Sequence, residues 1–479
     1  MHPKGVVWTL GVLVCLFSGG MMVPALIALF YGSGHADQFL LAGILVLILG
    51  VLMVSWGGEA PKQLGHKDGF LIVALAWVVL SVLGAIPFLT TGTCNTLIDA
   101  LFESTSGLTT TGATVLSGLD TMPHSILFWR SMQQWLGGMG IIVLAVAVMP
   151  LLGVGGMQLF KAETPGPVKD KLTARVTETA KVLWLLYLAT TVMATIALKL
   201  AGMSWFDALN HAMTSVSTGG FSTHDASVGH FSSVWIRGVI VVIMILGAVN
   251  FTLHFMALRN GFTLRTYLED DELMTYFKWL ASIILIVGVL TVSSGKGEWN
   301  EVVFNIVSIS TSAGFAVSDY GLWPPATSLF FLIVMFVGGC SGSTAGGMKV
   351  VRILLLFRQG IREVRRLIHP HAVLHVKVGN KSVEGSVVQA LWGFFALYIV
   401  CFIVIAVLVA MTGVDILTAI SASAATITNA GPGFGDVGPA STYAMLPDTA
   451  KAVLMFGMVL GRLEIFTFFV LLVPEFWRK

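Results

Sequence analysis

The stretch EVVFNIVSISTSAG, Glu301–Gly314, decides the fold because it is not unique. DALFESTSGLTTTG runs from Asp99 to Gly112, and DALNHAMTSVSTGG from Asp207 to Gly220. In each, an acid leads, Ser and Thr accumulate, and a glycine closes the stretch thirteen residues after the acid. A fourth copy, DILTAISASAATITNAG, Asp415–Gly431, reads as longer by three. Downstream, each closing glycine is followed by an apolar run carrying WLGG (Gly137), ILGA (Gly247), FVGG (Gly338) or VLGR (Gly461), at spacings of 25, 27, 24 and 30 residues. Another apolar run precedes each acid, over roughly 70–90, 180–202, 275–293 and 387–411. Repetition in a constant order marks an architectural unit. Here the unit reads as helix, short re-entrant segment, helix.

Composition supplies the solvent. Of 479 residues, 56% are hydrophobic and 11% charged, and the mean hydropathy is +0.87, far too apolar for a water-exposed surface. Runs at Val6–Phe30, Phe39–Trp56, Val182–Leu198, Trp279–Val292 and Ala390–Met411 approach or exceed bilayer length. The expected fold is therefore an all-α polytopic membrane protein: four helix–pore loop–helix repeats in pseudo-fourfold arrangement, preceded by two N-terminal helices. Residues 1–69 hold those two helices, and 70–160, 161–262, 263–370 and 371–479 hold the four units. The first run is too long and continuous for a removable signal peptide.

Charge sets the orientation. Lys62 and Lys67, then Lys161, Lys169, Lys171, Arg175 and Lys181, fall in one set of connections with Arg259, Arg265 and Lys278. The 349–381 stretch adds Lys349, Arg352, Arg358, Arg362, Arg365, Arg366, Lys377 and Lys381. The alternate connections, at 31–38, 91–123, 203–236, 294–327 and 412–449, together hold Lys296 alone. Positive charge stays cytoplasmic, so both termini are expected inside and all four short segments dip in from outside. Four hairpins of one orientation make a pseudo-fourfold assembly, not an inverted repeat. Cys15, Cys94, Cys340 and Cys401 show no paired spacing. Neither a metal-ligand cluster nor a nucleic-acid footprint is present in the pattern.

Non-helical backbone at membrane depth must be buried in protein or face water. The acids Asp99, Asp207, Glu301 and Asp415 read as caps at the N-termini of short helices, where the dipole favours negative charge. The C-termini then point inward with partial negative charge, which suits a cation. Glycine permits backbone angles and close approaches that side chains forbid. Four such strands around one axis can aim carbonyl oxygens at a point and replace the hydration shell of an alkali cation. The competing reading is glycine as a simple helix-packing contact.

The TTTGAT loop, the FWRSMQQWLGGMGI helix, STGGFS, STSAGF and the terminal GRLEIF resemble the TrkH/KtrB potassium-transporter superfamily over essentially the whole chain. The resemblance implies one channel-like pore per subunit, a homodimer in a bacterial inner membrane, and K⁺ as the transported ion with no bound organic cofactor. It places the K⁺ filter at Thr110, Thr111 and Gly112; Thr218, Gly219 and Gly220; Ser312, Ala313 and Gly314; and Asn429, Ala430 and Gly431. In the fourth loop, TNAGPGFG, Gly433 rivals Gly431.

The second helix of the third unit contains GGCSGSTAGG, Gly338–Gly347, half of it glycine. Each glycine costs a helix roughly 1 kcal/mol against alanine, so the helix is expected to break. The break reads as an intramembrane gate below the filter, with Gly338, Gly339, Gly342, Gly346 and Gly347 as hinge residues; a kinked, closely packed helix is the alternative. Arg462 lies deep in the last apolar segment, where a charge faces a partner or water. The resemblance implies a pore-facing arginine touching the gate, and the alternative is an ion pair with Glu464 or another carboxylate. Arg130 and Arg237 read as structural caps of neighbouring loops.

The cytoplasmic connections are short and hold no phosphate-binding loop. The resemblance implies a peripheral nucleotide-binding regulatory subunit docked on the 349–381 face; membrane lipid accounts for the same charges equally well. Two further functions compete: a Na⁺- or H⁺-coupled symporter, and an intramembrane serine protease built on GCSG (Ser341) and His254.

Overall fold

The computed structural model describes residues 1–59, 65–147, 169–261, 263–372, 374–379 and 381–478. Lys62, Lys161 and the expected 160/161 boundary lie outside them. Helices α1 (Pro3–Tyr31) and α2 (Ala36–Gly57) form a hairpin. They approach closely because glycines face them: a Cβ on Gly50 would sit 2.6 Å from Cys15 Sγ, and one on Gly57 2.6 Å from Trp8 Cβ. Close approach through small residues is the usual adhesive between helices in lipid.

Four units follow. The first comprises α3 (His66–Gly84), α4 (Leu97–Leu108) and α5 (His124–Ala147); the second α6 (Lys169–Leu200), α7 (Trp205–Val216), α8 (Val234–Ala248) and α9 (Phe251–Arg259). The third comprises α10 (Asp271–Ser293), α11 (Trp299–Ser310), α12 (Pro325–Val337) and α13 (Val350–Ile368). The fourth comprises α14 (Gly385–Ala410), α15 (Ile416–Ile427), α16 (Asp448–Arg462) and α17 (Phe466–Leu472). Six described helices are long and apolar enough to cross a membrane, or up to eight if each bent pair is one span. Two apolar cores hold the units together. One joins the N-terminal hairpin to units one and four; the other joins units two and three.

The short helices α4, α7, α11 and α15 are each 12 residues. At 1.5 Å per residue that is about 18 Å, too short to span. Their starts correct the sequence reading. The N-caps are Thr96, Ser204, Glu298 and Asp415. Asp99, Asp207 and Glu301 are the third helical residues, not the caps, whereas Asp415 is a true cap that accepts the Thr418 N–H at 3.1 Å. The equivalent of Asp99 is therefore Thr418, thirteen residues before Gly431. The fourth copy is not longer; its acid has moved one turn upstream.

The second helices of the units also depart from expectation. The break in unit three is present, over residues 338–349 between α12 and α13. Unit two breaks as well, by 94° between α8 and α9, and unit four by 107° between α16 and α17. Asn250 caps α9 by accepting the Thr252 N–H, and Glu464 and Ile465 turn the chain with φ of 52° and 56°.

Candidate functional site

All four short helices end in one motif. The residue after the C-cap is left-handed: Thr110 (φ 51°), Thr218 (52°), Ser312 (54°) and Asn429 (54°). Its N–H returns to the penultimate helical carbonyl, at Gly107, Ser215, Ile309 and Thr426, with N···O of 3.0–3.2 Å. The next N–H reaches one residue further back, from Thr111 to Ser106, Gly219 to Thr214, Ala313 to Ser308 and Ala430 to Ala425, at 2.8–2.9 Å. This is a Schellman turn, normally closed by glycine at the left-handed position. Here Thr, Thr, Ser and Asn hold it, at a cost of about 1–2 kcal/mol for a β-branched residue. Strain of this kind persists only where the surroundings over-determine the backbone.

The glycines that follow meet in a closed ring. Gly112, Gly220, Gly314 and Gly431 have φ of 83°, 79°, 79° and 90°. A Cβ on Gly112 would lie 2.2 Å from Gly219 O, on Gly220 1.8 Å from Ala313 O, on Gly314 2.4 Å from Ala430 O, and on Gly431 2.7 Å from Thr111 O. Each glycine thus presses on the residue preceding the glycine of the next unit, and unit four closes on unit one. Gly433 stands outside this ring: its φ is not positive and its N–H donates to Val437 O at 2.7 Å.

Three classes of carbonyl line these turns. Those of Gly219 and Gly431 are held by side chains, Gln134 Nε2 at 2.6 Å and Tyr443 Oη at 2.8 Å. Those of Thr111, Ala313 and Ala430 lie against the next glycine. The carbonyls of the left-handed residues Thr110, Thr218, Ser312 and Asn429 accept no hydrogen bond from any described residue, although all four residues are buried. Orphaned buried carbonyls are rare and ask for an occupant. Gly112, Gly220 and Gly314 are half-open, so the ring is not sealed.

Residues not singled out as filter positions hold the ring. Gln134 both donates to Gly219 O and accepts the Phe221 N–H at 3.0 Å. Glu103 and Arg130 pair at 2.7 Å, fully buried. The Glu103 carboxylate accepts Thr114 Oγ1 and the Val115 N–H, and Arg130 donates to Ser222 O at 3.0 Å. That pair ties the chain after loop one to the chain after loop two. Lys451 of α16 reaches Asp99 of α4 at 2.7 Å, tying unit four to unit one. The available signal was polar residues inside apolar runs, QQ at Gln133–Gln134 and Glu103. Arg237 is simpler, its Nε donating to Phe231 O at 3.1 Å.

The 338–349 segment lies against the inner ends of three short helices. Thr344 Oγ1 donates to Val216 O and Gly247 O, both at 3.0 Å, and accepts from Thr218 Oγ1 at 3.2 Å. Gly346 N–H donates to Ser312 Oγ, and Gly347 N–H to Thr428 O at 3.0 Å. A Cβ on Gly346 would lie 2.0 Å from Thr428 O, so only glycine permits this seat. Gly339 packs on Ala248, Gly342 (φ 71°) on Asn250, and Gly338 and Gly347 on each other. Gly338 therefore differs from its sequence counterparts. Gly137, Gly247 and Gly461 face the last helical carbonyls of their own units, Leu108, Val216 and Ile427, whereas Gly338 ends α12 with φ 66°.

Arg462 is buried and donates through Nη1 to Thr344 O at 3.0 Å. Its Nε and Nη2 find no partner among the described residues. Glu464 pairs with Arg352 instead, which removes the Arg462–Glu464 ion pair as an alternative. Glu272, unforeseen in the sequence, accepts the N–H groups of Ser341 (2.7 Å) and Val351 (3.2 Å), while Lys349 donates to Ala345 O. His254 is engaged by Tyr267 Oη and Leu246 O, and the Ser341–His254 dyad is not assembled.

On the face where the short helices start, His224 bonds Asp120 at 2.5 Å. That hydrogen bond holds the Asp120 carboxyl below its ordinary range. Burial pushes His224 down, but pairing with Asp207 and Asp120 outweighs it and raises the imidazole above its ordinary value.

A ring of four quasi-equivalent hairpins within a polytopic helical bundle marks a helical membrane protein, and its relatives say which class. The family model for TrkH, described as a cation transport protein, matches residues 35–479. The Trk system potassium uptake protein TrkH of Halomonas elongata is 48% identical over 485 residues, and that of Escherichia coli K12 is 45% identical over 487, each alignment covering 100% of both chains. The crystal structure of the potassium transporter TrkH from Vibrio parahaemolyticus matches with a TM-score of 0.92 at 44% identity, again over 100% of both chains. The chain belongs to the TrkH family.

Proposed function

We propose that this chain takes up potassium across the bacterial inner membrane through a pore whose selectivity filter is the glycine ring. One observation carries the reading: four equivalent buried carbonyls, at Thr110, Thr218, Ser312 and Asn429, find no donor among the described residues, beside a ring open at three of its four glycines. A dehydrated monovalent cation satisfies such oxygens without protons. The 338–349 segment is the gate, because it contacts three of the turns and glycines form its seat. Arg462 holds it shut through Thr344 and adds a positive barrier to a cation. The charge asymmetry of the connections supports cytoplasmic termini.

A homodimer and a peripheral nucleotide-binding regulator complete the proposal by family resemblance. The basic face supports a docking role: Arg358, Arg362, Arg365 and Lys377 line a cleft of about 510 Å³ beside the short antiparallel strands Lys377–Val378 and Lys381–Ser382. Ion flux into liposomes containing the purified protein tests the function. Uptake of K⁺ and Rb⁺ well above Na⁺ and Li⁺, reversing at the potassium Nernst potential, is expected. Equal passage of all four ions would sink the filter, and a reversal that moves with Na⁺ or pH would point to symport.

A further inference from the structure

We propose that Asp120, His224 and His230 form a binding site for one divalent transition-metal ion of the zinc class, on the face where the short helices start. Asp120 Oδ1 lies 2.5 Å from His224 Nδ1 and 3.8 Å from His230 Nδ1, and the three ligand atoms fall within 4.8 Å of one another. Zinc bonds of about 2.0–2.1 Å in tetrahedral geometry require ligand separations of roughly 3.3 Å. Small torsions of Asp120 and His230, whose side chains are 45% and 47% exposed, reach that spacing.

The imidazoles stand side by side, but parallel planes cannot both contain one ion, so the exposed His230 must turn its ring out of the stack to bind. The rings of His224 and His230 stack with centroids 3.6 Å apart and planes 2° off parallel, and Phe231 meets both edge-on. Both present Nδ1 to the same carboxylate. Two imidazoles and one carboxylate select zinc, copper or nickel over calcium or magnesium, which prefer all-oxygen shells. Exposure on one side leaves room for water as the fourth ligand.

A second observation concerns the far side of His224. Its Nε2 is buried without a hydrogen-bond partner and lies 3.5 Å from Asp207 Oδ1. A metal-bound histidine usually directs its other N–H at a carboxylate, which orients the ring and raises its basicity. Asp207 is itself fixed by Thr223 Oγ1 at 2.7 Å and by Ser204 Oγ at 2.7 Å. It stands in the first turn of α7, whose other end leads into Thr218, Gly219 and Gly220. A bound ion therefore joins the connection of unit one, which carries Asp120, to that of unit two, and reaches the second pore loop through His224 and Asp207. The effect on ion flux rests on the filter proposed above; metal binding itself does not.

Untagged, chelator-stripped protein in detergent, titrated with Co²⁺, tests the site. One equivalent per chain with d–d absorption of a low-coordinate site, displaced by Zn²⁺, is expected; H230A and H224A should each weaken it at least about tenfold. The exposed His230 makes H230A the variant that keeps the fold. A wild-type protein without saturable absorption, or absorption retained in H230A, overturns the site. In proteoliposomes, Zn²⁺ added on this face should slow Rb⁺ uptake severalfold in wild type and leave H230A unaffected. Unchanged wild-type uptake with the Co²⁺ band present overturns the link to α7.

Discussion

The four glycine-closed loops and the four helices that follow them obey different rules. The loops share one conformation, with φ of 51–54° at the left-handed residue and 79–90° at the glycine. The helices do not: α5 is one segment over its described residues, α8–α9 bends by 94°, α12 and α13 are parted by residues 338–349, and α16–α17 bends by 107°. The difference teaches where equivalence is required. Carbonyl positions depend on φ and ψ, so four backbones that meet must share conformation while Thr, Thr, Ser and Asn alternate in sequence. The outer helices need supply only a close approach, which Gly137, Gly247 and Gly461 provide. Unit three then spends its freedom on a seat beneath the others.

If the ring is the functional element, a methyl group in it should cost most. The distances rank the damage: 1.8 Å at Gly220, 2.2 Å at Gly112, 2.4 Å at Gly314 and 2.7 Å at Gly431. Each contact is with backbone, which cannot swing aside, and alanine at positive φ adds roughly 1–2 kcal/mol. Gly220→Ala should abolish discrimination of K⁺ from Na⁺ in liposome flux, Gly431→Ala should impair it least, and Gly314→Ser should fall between. Gly238→Ala, with nothing within 4 Å, is the control. Normal selectivity in Gly220→Ala would break the comparison outright.

The next effect tests what locks unit one to unit two. Removing one member of the buried Glu103–Arg130 pair leaves an uncompensated charge, worth about 3–5 kcal/mol. Arg130→Met should therefore lower thermal stability in detergent sharply. The double variant Glu103→Met with Arg130→Met should recover much of the loss, because no charge is left buried. A double variant as unstable as the single one would show that packing, not charge, governs this contact.

How much of this was legible follows from the same contrast. The spans, the four-unit repeat, the break at 338–349 and the recurrence of a closing glycine all leave periodic or compositional marks. The offset of unit four did not, because an acid at the N-cap and an acid three residues later look alike in sequence; only the paired caps Thr96 and Asp415 separate them. The bends at Asn250 and Glu464 carry no glycine run and arise from tertiary seating. Gln134 and Glu272 act through partners 69 to 87 residues away, and Tyr443 and Lys349 through carbonyls 12 and 4 residues back in irregular turns, so no spacing rule finds them. Gly431 over Gly433 became decidable only when the ring closed on Thr111.

Arg462 probes the asymmetric side. Its bond to Thr344 O is charge-assisted, of a kind worth about 1.5–3 kcal/mol, and 1.4 kcal/mol is a tenfold shift in an equilibrium. Arg462→Ala should raise flux through the unregulated protein about tenfold or more. Shortening 340–346 should raise it further and make it constitutive. Flux that stays closed after a shortened loop has folded would show that the segment is a brace, not a gate.

The smallest expected effect lies inside the symmetric set. Thr110 pays for its left-handed backbone with no visible return: its Oγ1 is buried without a partner among the described residues, whereas Thr218 Oγ1 and Asn429 Nδ2 are bonded to Thr344 and Thr111. Thr110→Gly should therefore stabilise the fold by up to about 1 kcal/mol, relief of the left-handed strain being partly offset by glycine's greater freedom in the unfolded chain. Thr218→Gly and Asn429→Gly should not, because each also loses a hydrogen bond. Apparent melting temperatures of the three variants in detergent compare the loops directly. An equal response would mean that the four turns are equivalent in energy as well as in shape; a gain confined to Thr110 would place the cost of the ring unevenly, with unit one carrying strain that the other units offset through side-chain contacts.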